Sequence, residues 1–214
     1  MSHARYLAAF LLLFTGACSD VEDHDDDDGH HHNHGVTTTV VLNVTPAGGG
    51  ETLTFAWADP ENDGDPIVDP ILLPDATDHN HHDPLTYKLD VEFWNELEDP
   101  AEDVTPEIAE LAEEHQVFFT GSAVEGPATG ANPGAIITHD YADEDADGLP
   151  LGLENGIATA DWGTGELIVT LRHLAYENDQ PTKTEGLADD VASGGLGAIA
   201  GEVDIQATFP IEVQ

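Results

Sequence analysis

From Val36 onward, apolar residues recur at every second position. Val40, Leu42 and Val44 alternate with Val41, Asn43 and Thr45, and Leu53, Phe55 and Trp57 share one face. The same spacing runs through Tyr87, Leu89, Val91 and Phe93, through Leu167, Val169 and Leu171, and through Val203, Ile205, Ala207 and Phe209. Period two places successive side chains on opposite faces of a strand, so each run predicts a strand with one face buried. Gly, Pro, Asp or Asn bounds every run. With 116–123 and 135–141 added, the pattern predicts about seven strands and an all-β fold, a single β-sandwich of the Ig-like or Greek-key kind.

One segment departs from period two. Thr105 is placed to cap a helix, Pro106 suits its first position, and acids follow in the first turn. Ile108, Leu111 and Ala112 form its apolar stripe, which predicts a short helix over 106–115. Everything else reads as loop, including a Gly/Ala-rich stretch over 192–201. Residues 36–214 carry one alternating pattern and are expected to form one domain with a real core.

The first 35 residues carry no such pattern. Arg5, the apolar run from Tyr6 to Phe14 and the small residues after it predict a secretory signal peptide over 1–17, too short to span a membrane. Leu13 to Cys18 resembles a bacterial lipobox, which implies acylation of Cys18 as the first mature residue. Ser19 behind it implies the outer membrane. Residues 18–35 then read as an acidic tether without a core-forming pattern. The chain has one Cys, so a lipidated Cys18 leaves no thiol for a disulfide.

Charge narrows the partners. With Arg5 removed, only Lys88, Arg172 and Lys183 stand against 44 acidic residues, a formal charge of −41. Such a field repels nucleic acid and anionic lipid and attracts cations. It also keeps a protein soluble in a saline habitat, so the total charge does not by itself identify a cation site.

Residues 143–154, DEDADGLPLGLE, match D-x-D-x-D-G-x5-E through Asp143, Asp145, Asp147, Gly148 and Glu154. Alternate carboxylates can fold around one hard cation, with Gly for the turn and the last Glu closing the shell, so calcium is the expected ion. A β-run precedes the motif, which places it between strands and not in a helix–loop–helix hand; an acidic turn without metal is the alternative. Residues 57–64 echo residues 141–148, each with an aromatic at a strand end and alternating acids leading to Gly. Asp59, Glu61, Asp63 and Asp65 of the first copy lack the closing Glu.

Histidine is unevenly spread. His24, His30, His31, His32 and His34 lie on the tether, and His79, His81 and His82 lie beside Asp75, Asp78 and Asp83, so two short patches hold eight of the 12 histidines. Neutral imidazole suits zinc, copper or nickel, with carboxylates as supplementary donors, and loose spacing suits exchangeable capture. Zinc is the expected metal; a polar spacer is the alternative. Of the others, His115, His139 and His173 each read first as structural, and His115 with His173, at element ends, is the pair predicted to share a metal if any pair does.

The stretches "TFAWADPENDGD", "VEFWNE", "EIAELAEEHQVFF", "YADEDADGLPLGL" and "LRH" resemble small bacterial lipoproteins labelled as having a type 1 periplasmic-binding-like domain and associated with TonB-dependent outer-membrane receptors. The resemblance covers most of residues 36–214 and implies a metal-uptake accessory near such a receptor. A true type 1 binding protein is larger and α/β, so the label conflicts with the β-rich pattern; the chain lacks repeated β–α units, and an all-β fold is expected from its periodicity.

No G-x-S-x-G, H-E-x-x-H, phosphate loop or nucleophilic Cys is present, so no enzyme is expected. The alternative to metal capture is a calcium-dependent adhesion or carbohydrate-binding module using Trp57, Trp94 or Trp162.

Overall fold

A computed structural model describes residues 36–74, 84–174 and 182–214. The signal peptide, Cys18, the tether with His24, His30, His31, His32 and His34, and the patch with His79, His81 and His82 lie outside the described residues. Those described are mostly β, 47% strand against 12% helix, as the alternation requires.

The first sheet is built from β1 (Thr39–Pro46), β2 (Leu53–Ala58), β3 (Ile67–Val68), β5 (Thr86–Asn95), β8 (Val124–Glu125), β9 (Ile137–Tyr141) and β10 (Glu154–Thr159). Their order is β3-β2-β1-β5-β10-β9-β8, and the short β6 (Glu102–Asp103) pairs with one end of β5. The second sheet, in the order β4-β12-β11-β7, joins β4 (Ile71–Leu73), β12 (Glu202–Val213), β11 (Gly163–His173) and β7 (His115–Thr120). β4 runs parallel to β12, and β8 parallel to β9; the other pairings are antiparallel.

The inward positions of both sheets meet in one buried cluster. Leu42, Leu89 and Phe93 come from the first sheet, and Phe119, Val169 and Phe209 from the second. Burying such side chains contributes about 1.5–3 kcal/mol each, which makes this cluster the main source of stability. Leu53, Phe55 and Trp57 share the predicted face but are only half-buried against it.

The outer face of the second sheet is covered too, which the alternation does not foretell. Phe118 points away from the main cluster and is buried against Ala128, Leu174, Leu187, Val191 and Ile199. The cover is a second helix, α2 (Leu187–Gly194), followed by a 3-10 turn over Leu196–Ala198. The predicted loop over 192–201 is therefore corrected: its first residues end a helix whose stripe, Leu187 and Val191, is one turn long. A stripe so short and flanked by Gly hides in the sequence.

The first helix is shorter than predicted. α1 spans Thr105–Glu110, and a 3-10 turn over Ala112–Glu114 completes the segment. Thr105 is not the cap; that position falls to Val104, and no side chain caps the helix. The Thr105 hydroxyl is instead drawn to β5, where it accepts from the Phe93 amide at 2.9 Å and lies 3.3 Å from the Phe93 carbonyl. Tertiary hydrogen bonding outcompetes the local capping preference here.

Candidate functional site

β7 and β11 pair so that His173 lies opposite His115. The two imidazoles stack with centroids 5.0 Å apart and planes 11° from parallel. His115 is wholly buried, and its Nδ1 is 2.9 Å from the Leu111 carbonyl at the end of α1. Facing a carbonyl, Nδ1 carries the proton in the neutral ring, which leaves Nε2 as the acceptor. A carboxylate attends each ring: Asp204 Oδ2 is 3.8 Å from His115 Nε2, and Glu114 Oε2 is 3.6 Å from His173 Nε2.

Asp204 reaches this place through a break in the ladder. Leu171 pairs with Ile205, but the next residue, Arg172, pairs with Val203, so Asp204 is an extra residue on β12. A bulge of this kind re-aims side chains. It turns Val203, predicted to share the inward face of Ile205, out to 45% exposure. Asp204 itself turns toward His115 and lines, with Glu107, Val36 and Thr37, a cavity of about 230 Å³. Burial raises the Asp204 carboxyl to about 6; His173 and Arg172 draw it down and Glu202 pushes it further up.

The structure thus brings together His115 and His173, the pair singled out by sequence. Among the described residues, however, no group of three or more His, Cys, Asp or Glu is arranged to hold a metal ion. His139 is buried and structural: it stacks on Phe119 at 4.2 Å, meets Tyr141 edge-on, and its Nε2 is 3.0 Å from Asn155 Oδ1. Burial lowers its pKa and keeps the ring neutral, outweighing the opposing pull of Asn155 and Asp140.

Residues 143–154 fold as a turn between β9 and β10, as predicted, and the carboxylates of Asp143, Asp145 and Glu154 engage protein groups. Asp143 accepts the amides of Gly152, Leu153 and Glu154 at 2.7–2.9 Å. Asp145 Oδ1 accepts those of Asp147 and Leu149. Asp145 Oδ2 lies 2.7 Å from the Lys183 ammonium, with both side chains 1% exposed. Glu154, on β10, pairs with Lys88 at 3.2 Å. The echoing loop behaves alike: the Asp59 carboxylate accepts the amides of Asp63 and Gly64. In both copies the repeated acids close turns.

Lys183, Asp204 and Arg172 are functionally placed residues that sequence reasoning passed over. Lys183 had a usable signal, being one of four Lys and Arg residues in a chain so acidic. Arg172 is buried as well and donates to the carbonyls of Ile199 and Ala200. Asp204 had none, because a bulge depends on the partner strand.

The three tryptophans differ. Trp57 packs half-buried on the main cluster, and Trp94, also half-buried, donates through Nε1 to Glu92. Trp162 is 74% exposed in the short link that carries the chain from β10 in one sheet to β11 in the other. Among the described residues no helix is long and apolar enough to cross a membrane.

Fold and site together define a strongly acidic, mostly β protein of two sheets, with a stacked imidazole pair, one ring buried and one half-buried, at one sheet edge. Comparison with protein families, curated proteins and solved structures finds no match.

Proposed function

We propose that the chain is an exported lipoprotein, anchored through Cys18 to the outer membrane, that captures divalent transition-metal ions, zinc foremost, on its His/Asp-rich segments. One observation carries this reading: two short patches, 24–34 and 79–82, hold eight of 12 histidines, mixed with the carboxylates that complete a borderline metal's shell. The two sheets sharing one core support a single β-sandwich as the scaffold. The second patch falls between β4 and β5, in the link from one sheet to the other, so ion capture there does not require the core to change. The capture segments would serve a receptor that takes up metal, a TonB-dependent one by the resemblance above.

The test is isothermal titration of the mature chain with zinc at neutral pH, beside variants lacking 24–34 or 78–83. Each deletion is expected to remove part of the bound zinc. Capture is expected to fall away below about pH 6, because only neutral imidazole binds. Absence of heat at neutral pH defeats the reading.

A second reading is favoured by one observation, the exposure of Trp162: a surface module that binds carbohydrate or protein by aromatic stacking. Retardation of the chain in polysaccharide gels, lost on Trp162→Ala, would favour it over metal capture.

A further inference from the structure

The turn that best fits a calcium motif is occupied by a group of the chain's own. We infer that the Lys183 ammonium is the resident cation of the 143–154 turn, making it a metal-independent clasp that fastens the α2 excursion to the sheet edge. This goes beyond the proposed function and does not depend on it.

Four observations carry the inference. First, Lys183 Nζ touches Asp145 Oδ2 at 2.7 Å, both side chains out of solvent, and donates to the carbonyl of the half-buried Ala112 at 2.8 Å. Second, calcium needs six to eight oxygens at about 2.3–2.6 Å, whereas Asp143 and Asp145 Oδ1 already accept five backbone amides between them and Glu154 has turned to Lys88. Asp145 Oδ2 accepts no backbone amide and is matched instead by the Lys183 ammonium. Third, the groups around Lys183 are anionic: burial lowers its pKa from the ordinary lysine value, and Asp145, Asp143 and Glu113 oppose that shift in favour of the charged form. Fourth, the placement is selective. Of the three cations in the mature chain, the two that are buried both hold the same excursion, Lys183 before α2 and Arg172 through the carbonyls of Ile199 and Ala200 behind it.

The clasp has a mechanical purpose that follows from the fold. α2 is two turns long and covers Phe118 with little more than Leu187 and Val191, so its own packing is small. A helix of that length has marginal stability alone. Two internal cations at its flanks fix its ends where packing cannot. In a chain of formal charge −40, an internal cation does this without depending on the ions outside.

The experiment uses the full mature chain and follows thermal unfolding at constant ionic strength, in millimolar calcium and in chelator. Wild type is expected to melt at the same temperature in both. Lys183→Met is expected to melt about 10 °C lower, in calcium and chelator alike, because a buried carboxylate is left without its partner. The double variant Lys183→Met/Asp145→Asn is expected to recover most of that loss. If the single variant does not fold, a folded double variant supports the inference equally. Calcium raising the wild-type melting temperature, with the gain abolished by Asp145→Asn, overturns it. So does a Lys183→Met chain that melts like wild type, that calcium restores, or that is not improved by Asp145→Asn.

Discussion

His115 and His173 face each other across β7 and β11, ring on ring at 5.0 Å, and differ in what surrounds them. His115 is sealed in, its side chain 1% exposed and its Nδ1 tied to the Leu111 carbonyl, whereas the His173 side chain keeps 17% of its surface. The inner ring therefore joins three elements, α1, β7 and the bulge of β12, and the outer ring leans on it. Truncation at the two positions should be unequal. His115→Ala is expected to lose about 2–4 kcal/mol, from a cavity plus a freed carbonyl. His173→Ala should lose only about 1 kcal/mol, since solvent can enter. Urea unfolding of both variants measures the difference, and equal losses would contradict this account of the pair.

The carboxyl of Asp204 should make stability fall as the solution is brought from about pH 4 to pH 6. Its folded pKa, about 6, lies above that of an unfolded Asp, near 3.8, because burial disfavours the charged form. The fold therefore binds this proton more tightly than the unfolded chain does. The stabilisation is complete below the unfolded value and is lost as pH rises through the folded one. At neutral pH the charge, its side chain 23% exposed, is a cost of about 1–2 kcal/mol after allowing for solvent screening. Asp204→Asn should accordingly be more stable than wild type at pH 7 and indistinguishable near pH 4. Asp145 acts in the opposite sense. Burial pushes it up, but Lys183 and the amides of Leu149 and Asp147 prevail and hold it below the usual carboxylate range, so its contribution is present above that range and lost in stronger acid. Melting curves from pH 3.5 to 7.5 on wild type and Asp204→Asn test the sign; a variant less stable than wild type at pH 7 would refute it.

These two carboxylates show where the sequence was legible. Period two marked the inward faces of β1, β5 and β11 correctly: β1 and β5 pair in regular register, and Leu167, Val169 and Leu171 of β11 enter the main cluster before its ladder with β12 breaks. It failed at Val203, where the extra residue of the bulge reverses the faces, and at Phe118 and Thr170, whose face is buried by an excursion folding back from far along the chain. Spacing placed a turn at 143–154 and paired His115 with His173. It could not foresee that Lys183, nearly 40 residues away by sequence, comes to Asp145. Motifs report the donors in one segment, whereas the partner arrives through topology.

Gly201 should be intolerant of any side chain, although it lies on the surface. It sits at φ +85° just before β12, and a Cβ there would run into the backbone carbonyl of His173. Leaving the left-handed conformation would shift the start of β12, and with it the bulge that aims Asp204. Gly201→Ala is expected to cost about 2–3 kcal/mol, from backbone strain and the clash together. Gly48→Ala, with open space around it, serves as the control and should change stability by less than about 0.5 kcal/mol. Equal stability of the two variants would show that the approach of residue 201 to His173 is looser than described.

Trp162 should dominate the solvent-exposed part of the protein's fluorescence. Its 74% exposure follows from its position: the link between β10 and β11 leaves one sheet and enters the other, and neither core can reach its side chain. Trp57 and Trp94 are half-buried, the first against the apolar cluster. An exposed indole emits at longer wavelength and is open to neutral quenchers; acrylamide suits this protein because iodide is repelled by its negative field. Trp162→Phe is expected to blue-shift the emission and remove most of the quenchable fraction while leaving the melting temperature within about 1 °C, since little packing is lost. Zinc added to wild type then gives an independent readout. A carbohydrate or protein partner stacking on the ring protects it from the quencher, whereas a zinc-only protein leaves the ring open to it. Retention of the quenchable fraction in Trp162→Phe would mean that another indole is the exposed one, contradicting the placement of the 160–162 link.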